Sequence, residues 1–131
     1  MTTGGRVEVR VLVEGRGTWF DGLRAVLEPG GVVVVGRSRS CDVSIRKSRH
    51  FREQPDTEAV LRSREFNRVS RIHCEISLVG PREVEVRDLS ANGTWVDGVR
   101  VKGSVVVPLG DAPVEVAPVE GALGSLVLRG A

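Results

Sequence analysis

Three short polar stretches hold the residues able to do chemistry. The first is Gly36-Arg37-Ser38-Arg39-Ser40, the second Val69-Ser70-Arg71-Ile72-His73, and the third Leu89-Ser90-Ala91-Asn92-Gly93. Arg37 carries a permanently charged planar fork that matches two oxygens of a phosphate or carboxylate. Ser70 adds a neutral hydroxyl donor. The amide of Asn92 both donates and accepts, which suits it to hold an extended peptide backbone. Gly93 tolerates the positive φ of a sharp turn. Taken singly, each residue has an ordinary explanation: a solvated arginine, a turn-capping serine, an Asn-Gly turn. Together, in three loops between strand-like runs, they suit an anion-binding pocket for a peptide-borne phosphate.

The elements around these loops read as strands. Hydrophobic residues make up 40% of the 131-residue chain but aromatics only 4%, and valine dominates, a β-branched composition that favours sheets. Sixteen glycines and six prolines supply turns. Apolar and polar residues alternate over Arg6 to Val13, which Gly15-Arg16-Gly17 is expected to end. Leu23 to Leu27 and Val32 to Val35 follow, joined by Glu28-Pro29-Gly30-Gly31 and read as a hairpin, with the second run buried on both faces. Asp42 to Ile45, Ile72 to Leu78, Glu83 to Asp88, Trp95 to Val101 around an Asp-Gly type I′ turn, Val105 to Val107, Val114 to Val116 and Ser125 to Leu128 complete the set. The count is ten or eleven strands, at the spacing of an all-β, two-sheet sandwich. The length suits a single domain over 1–131.

Residues 46–68 interrupt this pattern. They hold seven Lys/Arg against four Asp/Glu, while the rest of the chain is close to neutral and the whole carries a formal +2. Pro55 through Phe66 is the one helix candidate, with Asp56 or Thr57 near its start and a weak stripe of Val60, Leu61 and Phe66. Arg46 to Pro55 shows neither period nor core. So long a connection is either functional or disordered. Three roles are open: a surface excursion without function, a wall or lid that touches a ligand or second partner, or a carrier of a phosphoacceptor at Thr57 that a second copy could bind.

At this point the chain resembles the forkhead-associated (FHA) domain family. The likeness rests on Gly36-Arg37 before Cys41-Asp42-Val43-Ser44-Ile45, on Ser70-Arg71-Ile72-His73, and on Asp88 to Gly98, DLSANGTWVDG. It implies an eleven-stranded sandwich whose loops at one end bind phosphothreonine peptides. By that resemblance Arg37 and Ser70 contact the phosphate, with Arg71 or Ser90 available to help. Asn92 and Gly93 hold the ligand backbone, Arg68 selects its side chains, and Gly36 and His73 support the loops. The family usually places Ser or Thr where this chain has Ala91, so one phosphate contact is expected to be missing. The connection over 46–68 is longer than the family's and is expected to emerge beside the phosphate pocket.

The implied function is phosphopeptide recognition in kinase-linked signalling or assembly, the partner being a threonine-phosphorylated protein. The alternative is a scaffold that has lost phosphate dependence and docks a partner through 46–68. Ser70, His73 and Asp88 are the residue types of a catalytic triad, but no nucleophile elbow accompanies them, so no enzyme activity is expected. The basic segment lacks the interleaved aromatics of a single-strand nucleic-acid surface. No cofactor or metal is expected: Cys41 and Cys74 read as buried thiols, and adjacent His73 and Cys74 would point apart on a strand. No apolar run approaches membrane-spanning length and MTTGGRVEVR lacks a signal-peptide core, which points to a cytoplasmic location.

Overall fold

In the computed structural model, residues 10–119 and 123–130 are described. They form eleven strands in two sheets. The strands are β1 Val11–Arg16, β2 Arg24–Leu27, β3 Val32–Gly36, β4 Val43–Ser44, β5 Cys74–Gly80, β6 Glu83–Asp88, β7 Trp95–Val96, β8 Val99–Arg100, β9 Ser104–Pro108, β10 Val114–Ala117 and β11 Ser125–Gly130. One sheet runs β2-β1-β11-β10-β7-β8 and the other β4-β3-β5-β6-β9. Alternation dictates the packing: Val11 and Val13, Ile76 and Leu78, Val84 and Val86, Val114 and Val116, and Leu126 and Leu128 all point into one core.

Several strands follow the sequence reading closely. Glu83–Asp88 pairs antiparallel with β5. Asp97 and Gly98 both take positive φ, 47° and 82°, as a type I′ turn between β7 and β8 requires. Other expectations need correction. β2 and β3 do not form a hairpin: β2 pairs with β1, while β3 pairs with β4 and β5 in the opposite sheet. The Pro-Gly-Gly turn, closed by the Gly31 N–H on the Glu28 carbonyl at 2.8 Å, therefore carries the chain across the sandwich. β3 is buried on one face only, with Val33 and Val35 inside and Val32 half exposed. β1 runs on through Gly15 and Arg16 to a break at Gly17, which has φ +84°. Residues Arg6 to Val9 of the expected first strand lie outside the described residues. His73 precedes rather than opens its strand.

The interval between β4 and β5 is folded, in short pieces. A 3₁₀ turn, Ile45–Lys47, leads into α1 Arg49–Arg52, α2 Thr57–Arg62 and α3 Arg64–Asn67. The single helix expected over Pro55–Phe66 is divided at Ser63, whose hydroxyl donates to the Val60 carbonyl at 2.7 Å and accepts from the Phe66 N–H at 3.2 Å. It ends one helix and begins the next. Ser48 links the 3₁₀ turn to α1 in the same way, and Asp56 caps α2 by accepting the Ala59 N–H. Phe66, 2% exposed, packs between Trp19 and Phe51 with ring centroids 5.8 and 5.7 Å away. Trp19 also meets His50 edge-on and hydrogen-bonds Glu65. The stretch from Arg46 to Pro55, read as coreless, thus contributes Phe51 to the core rim. Thr57 is exposed on the first turn of α2. Among the described residues no helix is long and apolar enough to cross a membrane.

Candidate phosphopeptide-binding loops

The three polar loops meet, and His73 is where they are joined. Its ring is fully buried. Nδ1 accepts the Ser70 N–H at 3.0 Å, so the proton sits on Nε2, which donates to the Gly93 carbonyl at 2.8 Å. Its backbone N–H reaches Val35 at 2.7 Å, and its carbonyl accepts from Leu89 at 2.9 Å. One residue therefore bonds β3, the second loop and both ends of the third. Burial holds the imidazole below its ordinary titration range, against the opposing pull of the Gly93 carbonyl and Asp88.

Between the first two loops the backbones run in contact. Arg37 N–H bonds Ser70 O and Ser38 N–H bonds Arg71 O, each at 3.1 Å. A Cβ at Gly36 would stand 2.1 Å from the Arg71 carbonyl oxygen; only glycine permits this approach. The Arg37 side chain is anchored at Nε, which donates to the Val69 carbonyl at 2.8 Å. Its terminal nitrogens keep their N–H groups for a ligand. The Ser70 hydroxyl oxygen accepts the Ala91 N–H at 3.1 Å, which leaves its own O–H as a donor. The first loop thus presents an anchored guanidinium and the second a hydroxyl whose O–H is unspent.

The third loop is shaped by Asp88. One carboxylate oxygen accepts from Ser90 N at 3.0 Å, Ser90 Oγ at 2.5 Å and Thr94 Oγ1 at 2.8 Å. Burial pushes this carboxyl up, but the bonds from Ser90 and Thr94 and the nearby His73 outweigh it and hold it below its ordinary range. Ser90 Oγ also accepts Gly93 N–H at 2.8 Å. Ser90 is therefore committed to its own loop and does not replace the hydroxyl missing at Ala91. Gly93 has φ +103°, and a Cβ there would strike the Trp95 ring at 2.8 Å. Exposed Asn92 donates through Nδ2 to the Arg68 carbonyl at 2.9 Å, which ties it to the end of α3. Its Oδ1 stays available to a peptide N–H.

The sequence-derived residues thus fall in three bonded loops that border two grooves, one with exposed Arg71 beside Arg37 and another with Arg68 beside Asn92. Two arginines were not expected there. Arg39 and Arg46 line the same groove as Arg37 and Arg71; the signal for Arg39 was its spacing of two from Arg37, and Arg46 had none. The triad types do not form a relay: neither ring nitrogen of His73 bonds the Ser70 hydroxyl or the Asp88 carboxylate. Cys41 and Cys74 are buried free thiols, and burial raises both above the ordinary thiol range. No cluster of three or more His, Cys, Asp or Glu is placed to hold a metal among the described residues.

Comparison with curated proteins finds no match by sequence. Solved structures share the fold. The FHA domain of the CT664 protein from Chlamydia trachomatis superposes with TM-score 0.63 at 20% identity, covering 92% of this chain and 96% of that one. The FHA domain of a hypothetical protein from Arabidopsis thaliana gives 0.64 at 19%, covering 100% and 93%. EmbR from Mycobacterium tuberculosis, solved in complex with a low-affinity phosphopeptide, gives 0.59 at 19% over 98% of this chain and 26% of EmbR. The family model described as FHA domain matches residues 33–112, a span that contains all three loops and the helical segment. The chain belongs to the FHA domain family.

Proposed function

We propose that this chain binds phosphothreonine-containing segments of a partner protein and so serves kinase-linked signalling or assembly. The observation that supports this best is the paired state of two side chains. Arg37 spends its Nε–H on Val69 and Ser70 accepts the Ala91 N–H, so each is held in place while the terminal guanidinium N–H groups and the serine O–H stay unspent. A cradle of anchored donors suits an acceptor-rich dianion such as a phosphate monoester. In this reading Arg37 and Ser70 grip the phosphate, Arg71 adds positive field, and Asn92, Gly93 and Arg68 hold the peptide chain. Gly36 and His73 keep the loops in register. The phosphopeptide on the EmbR relative is consistent with the same use of the fold.

Ala91 sets the expected strength. A hydrogen bond to a charged group contributes roughly 1.5–3 kcal/mol, so a missing hydroxyl weakens binding by about tenfold or more without abolishing it. Preference for threonine over serine would come from one buried methyl, worth about 0.8 kcal/mol, or a few-fold. Matched phosphorylated and unphosphorylated peptides, selected from an oriented phosphothreonine library and titrated calorimetrically, test the reading. The phosphorylated member binds and its partner does not, and Arg37→Ala removes the difference. Equal binding of both peptides to the native chain would favour phosphate-independent docking on residues 46–68 instead.

A further inference from the structure

The groove beside Arg37 is more basic than a single phosphate needs. Arg37, Arg39, Arg46 and Arg71 line an open volume of about 610 Å³ that also includes apolar Leu61 and Phe66. No carboxylate lines it, and the ion pairs among the described residues involve other arginines. Four guanidinium groups bring a formal +4, whereas one phosphate monoester brings roughly −1.5 to −2 at neutral pH. Their crowding is physical. Burial, and then the charge of Arg39, hold the Arg46 guanidinium below its ordinary range. Arg46 Nε is buried without a hydrogen-bond partner. Nor does Arg46 swing freely: it stacks over Phe51, 5.7 Å from the ring centroid, and its backbone is pinned by the Ser44 hydroxyl at 3.2 Å.

We propose that this groove takes a second phosphate carried by the same peptide, so that the chain reads doubly phosphorylated segments in preference to singly phosphorylated ones. The assignment rests on the phosphopeptide reading of the neighbouring cradle. Arg37 faces both positions, Ser70 belongs to the first, and Arg39 and Arg46 to the second. The helical segment acquires a role through this, since it supplies Arg46 and both apolar groove residues. A carboxylate shares the required chemistry but carries half the charge and fewer acceptor oxygens.

Fluorescence-anisotropy titration tests it with four peptides of one sequence: unphosphorylated, singly phosphorylated at threonine, doubly phosphorylated, and singly phosphorylated with glutamate at the second position. The second position is moved in single-residue steps of about 3.3 Å on either side of the first. The expected result is that one spacing binds about tenfold or more tighter when doubly phosphorylated, the factor one or two charge-assisted bonds supply. Arg39→Gln combined with Arg46→Gln abolishes that gain and leaves the singly phosphorylated peptide little changed. Arg39→Gln alone, on an exposed loop, reduces the gain without disturbing the core. If no spacing gains affinity from the second phosphate while single phosphorylation still promotes binding, the second site is wrong and the cradle stands. If glutamate matches the second phosphate, the groove reads acidic residues and the assignment fails. If no phosphopeptide outbinds the unphosphorylated one, the underlying phosphopeptide reading fails as well.

Discussion

The loop cluster around His73 and the helical segment beside it are neighbours built by opposite means. The loops are held by hydrogen bonds between particular atoms: a ring nitrogen on the Ser70 N–H, another on the Gly93 carbonyl, a carboxylate on Ser90 and Thr94. The segment is held by volume, with Phe66 wedged against Trp19 and Phe51 and short helices started by Ser48, Asp56 and Ser63. Directional bonds tolerate few residue types at each position. Packing tolerates any apolar side chain of suitable size. The two regions should therefore respond differently to substitution, and the difference is measurable.

The largest effect is expected from Phe66→Ala, which empties a buried aromatic site and should cost about 3–5 kcal/mol in chemical denaturation. Phe66→Met keeps most of the volume and should cost about 1.5 kcal/mol or less. At His73 shape does not compensate. His73→Leu leaves the Ser70 N–H and the Gly93 carbonyl unpaired and should cost about 2–4 kcal/mol, since each such group costs roughly 1–3 and burial of the leucine offsets part of the sum. It should also lower phosphopeptide affinity, because Ser70 and Gly93 belong to the cradle. If Phe66→Met proved as damaging as His73→Leu, the contrast between the regions would be lost.

Acid should sharpen the same contrast. The His73 imidazole titrates lower in the folded chain than in the unfolded one, where the ordinary value is 6.5. The unfolded state then binds more protons below that pH. The contribution of His73 is fully present above about 6.5 and is lost as pH falls toward the folded value. Asp88 adds a second acid-sensitive step at lower pH. Its folded carboxyl is depressed below 3.8, so its contribution is present above that value and lost as pH falls through the folded one. Denaturation midpoints measured from pH 8 to 5 should fall for the native chain and fall less for His73→Leu. A modest effect is expected at the turn between β7 and β8, outside both sets of contacts. Gly98→Ala meets no neighbouring atom but forces φ +82° on an L-residue, which should cost roughly 1–2 kcal/mol.

The same division explains what could be read from the sequence. Gly36, Ser70, His73, Asn92 and Gly93 were legible because their bonds and close approaches admit little else. The Asp97-Gly98 turn was legible because two successive positive φ values demand it. The Pro-Gly-Gly turn after Glu28 gave a reversal, but no local signal says whether the next strand pairs beside the last or crosses to the other sheet. The helices of the inserted segment were blurred because each is only four to six residues long, too short for periodicity to show. Phe51 and Phe66 look unrelated in sequence, and Trp19 joins them from another part of the chain. Arg46 stood in a run of solvated charges; only the tertiary fold sets it opposite Arg39.

In the proposed function, His73 and the backbone bonds beside it hold the three loops as a cradle where Arg37 and Ser70 receive a phosphate. The most direct measurement is amide and arginine Nε–H chemical-shift mapping by NMR during titration with a phosphothreonine peptide and its unphosphorylated twin. Shifts are expected to centre on Arg37, Ser38, Ser70, Arg71, Ala91 and Asn92 with the phosphorylated peptide alone, with still amides at Arg82 and Glu83, at the opposite end of β5 and β6. Equal shifts from both peptides, or a response centred away from these loops, would contradict the proposed function.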